Sequence, residues 1–181
     1  PCLPFTSRVP TAPNPLPQPA RPLRRRPPRL HMPQQLVLHP TVLSGRRLTI
    51  YEPADRQPGA NLLILHDGQN LFTPERSYVY AQTWNVSETA DALIASGDMP
   101  PTVIVGIDHG GDRRVREFGH GASTYGRFII RDVLPYMRSH YDVRRDAAGT
   151  AMGGSSMGGL VTLTIATMFP DIFGRILVFS P

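Results

Sequence analysis

Lysine is missing from this chain: all 19 basic residues among its 181 are arginine. That uniformity reads as the codon bias of a GC-rich genome rather than selection for guanidinium chemistry. It also removes the lysine that a G-x-x-x-x-G-K-[ST] phosphate loop requires, and no run fits G-x-G-x-x-G, so a nucleotide-binding reading fails. Cysteine is nearly absent. The single Cys2 excludes a disulfide within the chain and leaves the redox compartment open. No apolar stretch approaches the roughly 18 residues of a membrane span. The first 30 residues hold too many prolines for the apolar run of a secretory signal. The default expectation is a cytoplasmic protein with no membrane partner.

Acid is missing from residues 1–31, which carry six arginines. They account for the whole formal net charge of +5, and the remainder is close to neutral, so the basic balance implies no nucleic-acid partner. Residues 1–33 are expected to be a disordered Pro/Arg-rich tail, because they cannot bury enough apolar surface to offset their ordering entropy. Two other readings of the tail stay open. One is a basic arm or PxxP-type ligand; the other is translated sequence upstream of a start at Met32. Residues 34–181 are expected to form one domain. The apolar fraction of 40% and charged fraction of 18% are ordinary for a globular protein.

In that domain strand and helix patterns alternate. Residues 35–43 and 47–51 read as strands joined through Ser44-Gly45 as a hairpin. Residues 61–65 and 102–107 are apolar runs of the buried-strand kind. Residues 86–96 read as a helix ended by Gly97, with Pro100-Pro101 blocking continuation. Ser123 or Thr124 is positioned to cap a helix through Tyr141, in which Pro135 predicts a kink. A strand entered at residues 147–152, a helix over 157–168 and a strand over 175–179 complete the pattern. This order implies a mostly parallel sheet covered by helices and opened by an antiparallel hairpin, with chemistry at the carboxyl ends of its strands.

Two segments fall at such ends. Gly153-Gly154-Ser155-Ser156-Met157-Gly158-Gly159 frames Ser156 as G-x-S-x-G, the pattern of a nucleophile elbow. A serine on a sharp strand-to-helix turn is held at strained backbone angles, and flanking glycines let strand and helix approach. Ser156 is then the candidate nucleophile, and the N–H of Met157 the first oxyanion donor. The second segment is His66-Asp67-Gly68-Gln69-Asn70. Asp-Gly between apolar runs is also a hairpin signal. Read instead as a glycine turn after a strand, it offers the N–H of Gln69 as the second donor.

With these pieces in place, the chain resembles the esterase family of α/β hydrolases, which includes enterochelin and related siderophore esterases, S-formylglutathione hydrolase, feruloyl esterases and mycolyltransferase-like proteins. LLILHDGQNLF, TWNVSETADAL, PPTVIVGIDHGGDRRVREF, YGRFIIRDVLPYMRSHYDV and AMGGSSMGGLVTLTIATMFPDIFGRILVFSP carry the resemblance, from about residue 45 onward. It implies an α/β-hydrolase fold without its last strands, Ser156 as nucleophile, and an oxyanion hole from the N–H groups of Met157 and Gln69. No cofactor or metal is implied, and a small-molecule ester is the expected substrate.

One departure stands out. In this fold the order is serine, acid, histidine. After Ser156 the only acid is Asp171, and all six histidines lie upstream. A serine without a general base is a poor nucleophile, so these 181 residues read as the N-terminal two-thirds of an esterase and as nearly inactive by themselves. His66, beside the proposed oxyanion turn, is either a substitute base or a structural partner. Asp108-His109-Gly110-Gly111-Asp112 invites a metal reading, but nothing there matches zinc or calcium spacing, and a glycine-rich loop is expected. Arg113, Arg114 and Arg116, with Glu117, are expected as a charged stretch on that same loop, at the active end of the sheet; Arg114 and Arg116 are candidates for substrate contact, against simple surface pairing. Trp84 is expected in the core at the start of a helix.

The leading expectation is a serine carboxylic-ester hydrolase working through an acyl-serine, on a siderophore-like or other small ester. An acyltransferase of the same fold and a non-catalytic module are the alternatives.

Overall fold

The sheet is set by where continuous apolar runs can be buried on both faces. The computed structural model describes residues 33–181 apart from 40–42, 44, 56 and 79–81; the proline- and arginine-rich tail expected over residues 1–33 lies almost wholly outside the described residues. Six strands form one sheet: β1 (Gln34–Leu38), β2 (Arg46–Tyr51), β3 (Asn61–His66), β4 (Thr102–Ile107), β5 (Thr150–Ser155) and β6 (Arg175–Phe179). Their order is β1-β2-β4-β3-β5-β6. The expected hairpin is present, since β1 pairs antiparallel with β2 from Gln34↔Ile50 to Leu38↔Arg46. β2 is also antiparallel to β4, and every later pairing is parallel.

β4 is buried at all six positions, as its β-branched run predicts. Alternate side chains feed two cores, one per face. Leu62, Ile64, Val103, Val105 and Met152 join the larger core, with Phe128, Val133, Met137 and Ile165 from the covering helices. Leu65, Ile104 and Tyr51 point into the smaller one, which includes Ala90 of α1 (Val86–Ser96). α1 ends as expected at Gly97, whose φ of 84° lets its N–H reach back to the Ile94 carbonyl.

Two local expectations are corrected. Pro135 was expected to kink one helix that Ser123 or Thr124 capped. Instead α3 (Ala122–Phe128) starts from Gly121 with no side-chain cap, and passes through a π-helical stretch at Ile129–Val133 into α4 (Leu134–His140). Pro135 lacks the N–H that would bond four residues back, and the widened π turn absorbs the defect immediately before it. The arginine-rich stretch is no simple loop, for Arg114–Phe118 forms a short helix, α2. Of the two readings of Asp67-Gly68, the glycine turn after a strand is the one observed, and not the hairpin. β3 runs into a 3-10 turn, Gly68–Asn70, and pairs only with β4 and β5.

α5 (Met157–Met168) follows β5 and leads to β6, the last strand. β6 lies at the sheet edge, with Ile176 and Phe179 nearly half exposed. The architecture is an α/β-hydrolase fold whose sheet stops at β6.

Candidate active site

The turn between β5 and α5 is held under strain. Ser156 has φ 53° and ψ −126°, outside the regions ordinary residues occupy, which costs on the order of 1–3 kcal/mol. Its surroundings enforce the conformation. The Ser156 N–H donates to the Phe179 carbonyl at 2.9 Å, and its own carbonyl accepts from the Leu160 N–H at 3.0 Å. A β-carbon on Gly154 would lie 2.8 Å from the Gly158 carbonyl carbon. Strand and helix thus meet backbone to backbone, and Ser156 stands exposed between them.

The second segment supplies the facing wall. Asp67 also has positive φ, 56°, and turns β3 into Gly68–Asn70. Gly68 allows that turn to lie on β4, where a β-carbon would come within 2.6 Å of the Gly106 carbonyl carbon. The Asp67 carboxylate accepts two hydrogen bonds from Arg114, from Nε to Oδ1 at 2.7 Å and from Nη2 to Oδ2 at 2.8 Å. Those bonds push the Arg114 pKa up, and its guanidinium also lies 5.1 Å from the Phe118 ring centre. Gln69 is buried, and its Oε1 accepts the His109 N–H at 3.3 Å, tying the turn to the loop after β4.

His66 is only 2% exposed and sits against Phe118 and Tyr125. Its Nδ1 is 3.0 Å from the Tyr125 hydroxyl. Burial lowers its pKa to about 4, so the imidazole is neutral at physiological pH. The ring is bonded to Tyr125 and not to Ser156, which is the structural-partner arrangement.

These pieces line a cleft of about 270 Å³ that includes His66, Asp67, Asn70, Trp84, Arg114 and Ser156. Arg114 is brought to Ser156, whereas Arg116 is exposed on α2 and lines no part of this cleft. Arg113 lies 3.6 Å from Glu117, which itself forms a buried 2.8 Å pair with Arg46. Trp84 corrects the expectation of a core residue: it is 45% exposed, on the cleft, edge-on to Phe179 at 5.8 Å. A single apolar residue before a helix carries no sign of which side it faces. Asn70, to which no role is assigned from sequence, accepts the Trp84 N–H on its carbonyl at 3.1 Å and the Tyr78 N–H on Oδ1 at 3.0 Å.

The Asp108–Asp112 loop is held by ordinary pairing. Asp108 bonds Arg76, and His109 Nδ1 accepts the Gly111 N–H at 2.9 Å. Among the described residues no group of three or more His, Cys, Asp or Glu could hold a metal ion, and no helix is long and apolar enough to cross a membrane.

A strained serine at a strand-to-helix turn, facing a second strand-end turn across a cleft, defines the α/β-hydrolase class. The comparisons with known proteins narrow it. The profile of the family described as "Putative esterase" matches residues 44–181, and the chain belongs to that family. It is 28% identical over 152 residues to the iron(III) salmochelin esterase of Escherichia coli O6:H1, a match covering 81% of this chain and 35% of that protein. Among solved structures, the ferric enterobactin esterase of Salmonella typhimurium superposes with a TM-score of 0.70 at 26% identity, covering 86% of this chain and 37% of that one. A ferulic acid esterase from Anaeromyces mucronatus shares the fold, with a TM-score of 0.60 at 20% identity over 86% of this chain and 62% of that one. The chain spans between about a third and about half the length of the curated relatives it matches.

Proposed function

We propose that this chain carries the nucleophile and oxyanion half of a serine carboxylic-ester hydrolase. The observation that supports it most is Ser156, exposed at φ 53° on a glycine-flanked turn and lining a cleft with Asp67 and Arg114. In this reading the Ser156 hydroxyl attacks the ester carbonyl as a general base takes its proton. The carbonyl oxygen becomes an anion between the N–H groups of Met157 and Gln69. Met157 is the first residue of α5, so its N–H has no acceptor within the helix. Gln69 precedes Asn70, whose N–H is bonded to the Asp67 carbonyl. Each such donor contributes about 3 kcal/mol to transition-state stabilisation. Collapse of the intermediate expels the alcohol and leaves an acyl-serine, which water then cleaves.

His66 does not supply the base in this reading, since it is buried, neutral and bonded to Tyr125. No histidine follows Ser156 within these residues; the reading assigns the base, and the acid that orients it, to a part of the fold that the longer relatives carry. Small esters of the siderophore class are the proposed substrates, on the strength of those relatives. Arg114, with its guanidinium on the cleft, is the proposed contact for an anionic or catecholate group; Arg116, exposed and off the cleft, is not. The test is hydrolysis of p-nitrophenyl butyrate by a form extended to the length of its relatives. Ser156→Ala is expected to lower kcat by at least about a thousandfold, and an unchanged rate would overturn the reading.

A further inference from the structure

At the opposite end of β5 from Ser156, a cavity of about 320 Å³ opens beside α4. Ile130, Leu134 and Ile172 give it apolar walls, packed on the main core, and Arg138, Ser139 and Arg145 line it too. The two arginines are held to each other through the main chain. Arg138 Nη2 donates to the Arg145 carbonyl at 3.0 Å, and Arg145 Nη2 donates to the Arg138 carbonyl at 3.2 Å. Two cations are therefore fixed side by side.

Their charge is uncompensated. Arg46, Arg76, Arg114 and Arg144 each have a carboxylate partner, Glu117, Asp108, Asp67 and Asp146 respectively. Among the described residues neither Arg138 nor Arg145 has one, and Asp146, the next acid along the chain, is taken by Arg144. Arg138 Nε is buried with no acceptor, although a buried donor without a partner is costly. Burial and the charge of Arg145 both push the Arg138 pKa down, the direction expected where a counter-charge is missing.

A planar carboxylate fits this arrangement, because guanidinium forks match its two oxygens, and the aliphatic walls suit an apolar body. We propose that this pocket binds a small organic carboxylate, its oxygens between Arg138 and Arg145 and its apolar part on Ile130, Leu134 and Ile172. The six residues of β5 separate the pocket from Ser156, a distance on the order of 20 Å. The site is independent of any reading of Ser156.

Calorimetric titration of the 181-residue chain with sodium hexanoate tests it, alongside 1-hexanol and inorganic phosphate. Saturable binding of one hexanoate is expected, with Arg138→Gln and Arg145→Gln each weakening it about tenfold or more, and Ser156→Ala leaving it unchanged. Arg145 is exposed, so Arg145→Gln leaves the core intact, and thermal melts verify that both variants fold. Methyl resonances of Ile130, Leu134 and Ile172 should shift during the titration. No saturable binding, binding by either arginine variant as tight as that of the unsubstituted chain, shifts confined to the Ser156 cleft, or hexanol or phosphate binding as tightly as hexanoate would each overturn the proposal.

Discussion

Arg114 holds Asp67 through two parallel hydrogen bonds of 2.7 and 2.8 Å, across 47 positions of sequence. The same carboxylate reaches α5: a β-carbon on Gly158 would lie 3.2 Å from Asp67 Oδ2. The pair therefore braces the turn carrying Gln69 between α2 and the first turn of α5. Nε and Nη2 of Arg114 are engaged in this brace, which fixes the guanidinium at the cleft wall.

Removing Arg114 should loosen the turn. Its side chain is 25% exposed and that of Asp67 13%, so solvent screens the pair only in part. Arg114→Gln is expected to cost about 1–2 kcal/mol, which lowers Tm by roughly 3–6 °C in a domain of this size. Arg114→Lys should recover part of that loss, since it restores the charge without the fork. A thermal melt checks both.

Gly68→Ala should be more damaging than most glycine substitutions here. Its β-carbon would meet the Gly106 main chain at 2.6 Å, whereas one at Gly59 meets nothing within 4 Å. Separating two backbones is expected to cost about 2–3 kcal/mol. Gly59→Ala, at φ 70°, carries only the backbone strain of positive φ. Urea unfolding of the two variants compares them.

His66 makes stability depend on acid. Its folded pKa is depressed to about 4 from an ordinary 6.5, so between those values the unfolded chain binds a proton that the folded one does not. The stabilising contribution is complete above about pH 6.5 and is lost as pH falls towards 4, an amount of about 3 kcal/mol. In His66→Gln this part of the pH dependence should vanish. Unfolding free energies at pH 7 and pH 4.5, in both proteins, measure it.

Trp84 is the only tryptophan and half-lines the cleft beside Ser156. A boronate or ester analogue entering the cleft should change its emission, and Ser156→Ala should weaken the response to the boronate. Fluorescence titration checks this, and an emission unmoved by a bound analogue would contradict the placement of Trp84.

The sequence was most readable where geometry is local. Gly154, Ser156 and Gly158 mark the sharp strand-to-helix turn, since a β-carbon on Gly154 would meet the Gly158 backbone and one on Gly158 would crowd the Asp67 carboxylate. The strand runs at residues 61–65 and 102–107 are visible because burial on both faces leaves them apolar after their first residues, Asn61 and Thr102. The brace between Asp67 and Arg114 was not visible, since two charged residues far apart in sequence carry no mutual signal. α2 was missed for a related reason. Its run Arg114-Val115-Arg116-Glu117-Phe118 shows little apolar periodicity, and its burial comes from Phe118 and the buried Glu117–Arg46 pair. The π-helical stretch before Pro135 was equally hidden, because proline reveals a missing donor and not the way the helix accommodates it.

The central claim, that Ser156 is acylated, is tested most directly by mass spectrometry of the extended protein quenched during turnover of p-nitrophenyl butyrate. The account predicts one butyryl group on the peptide containing Ser156, absent from Ser156→Ala. Ester cleavage with no adduct on that peptide and an undiminished rate in Ser156→Ala would contradict it.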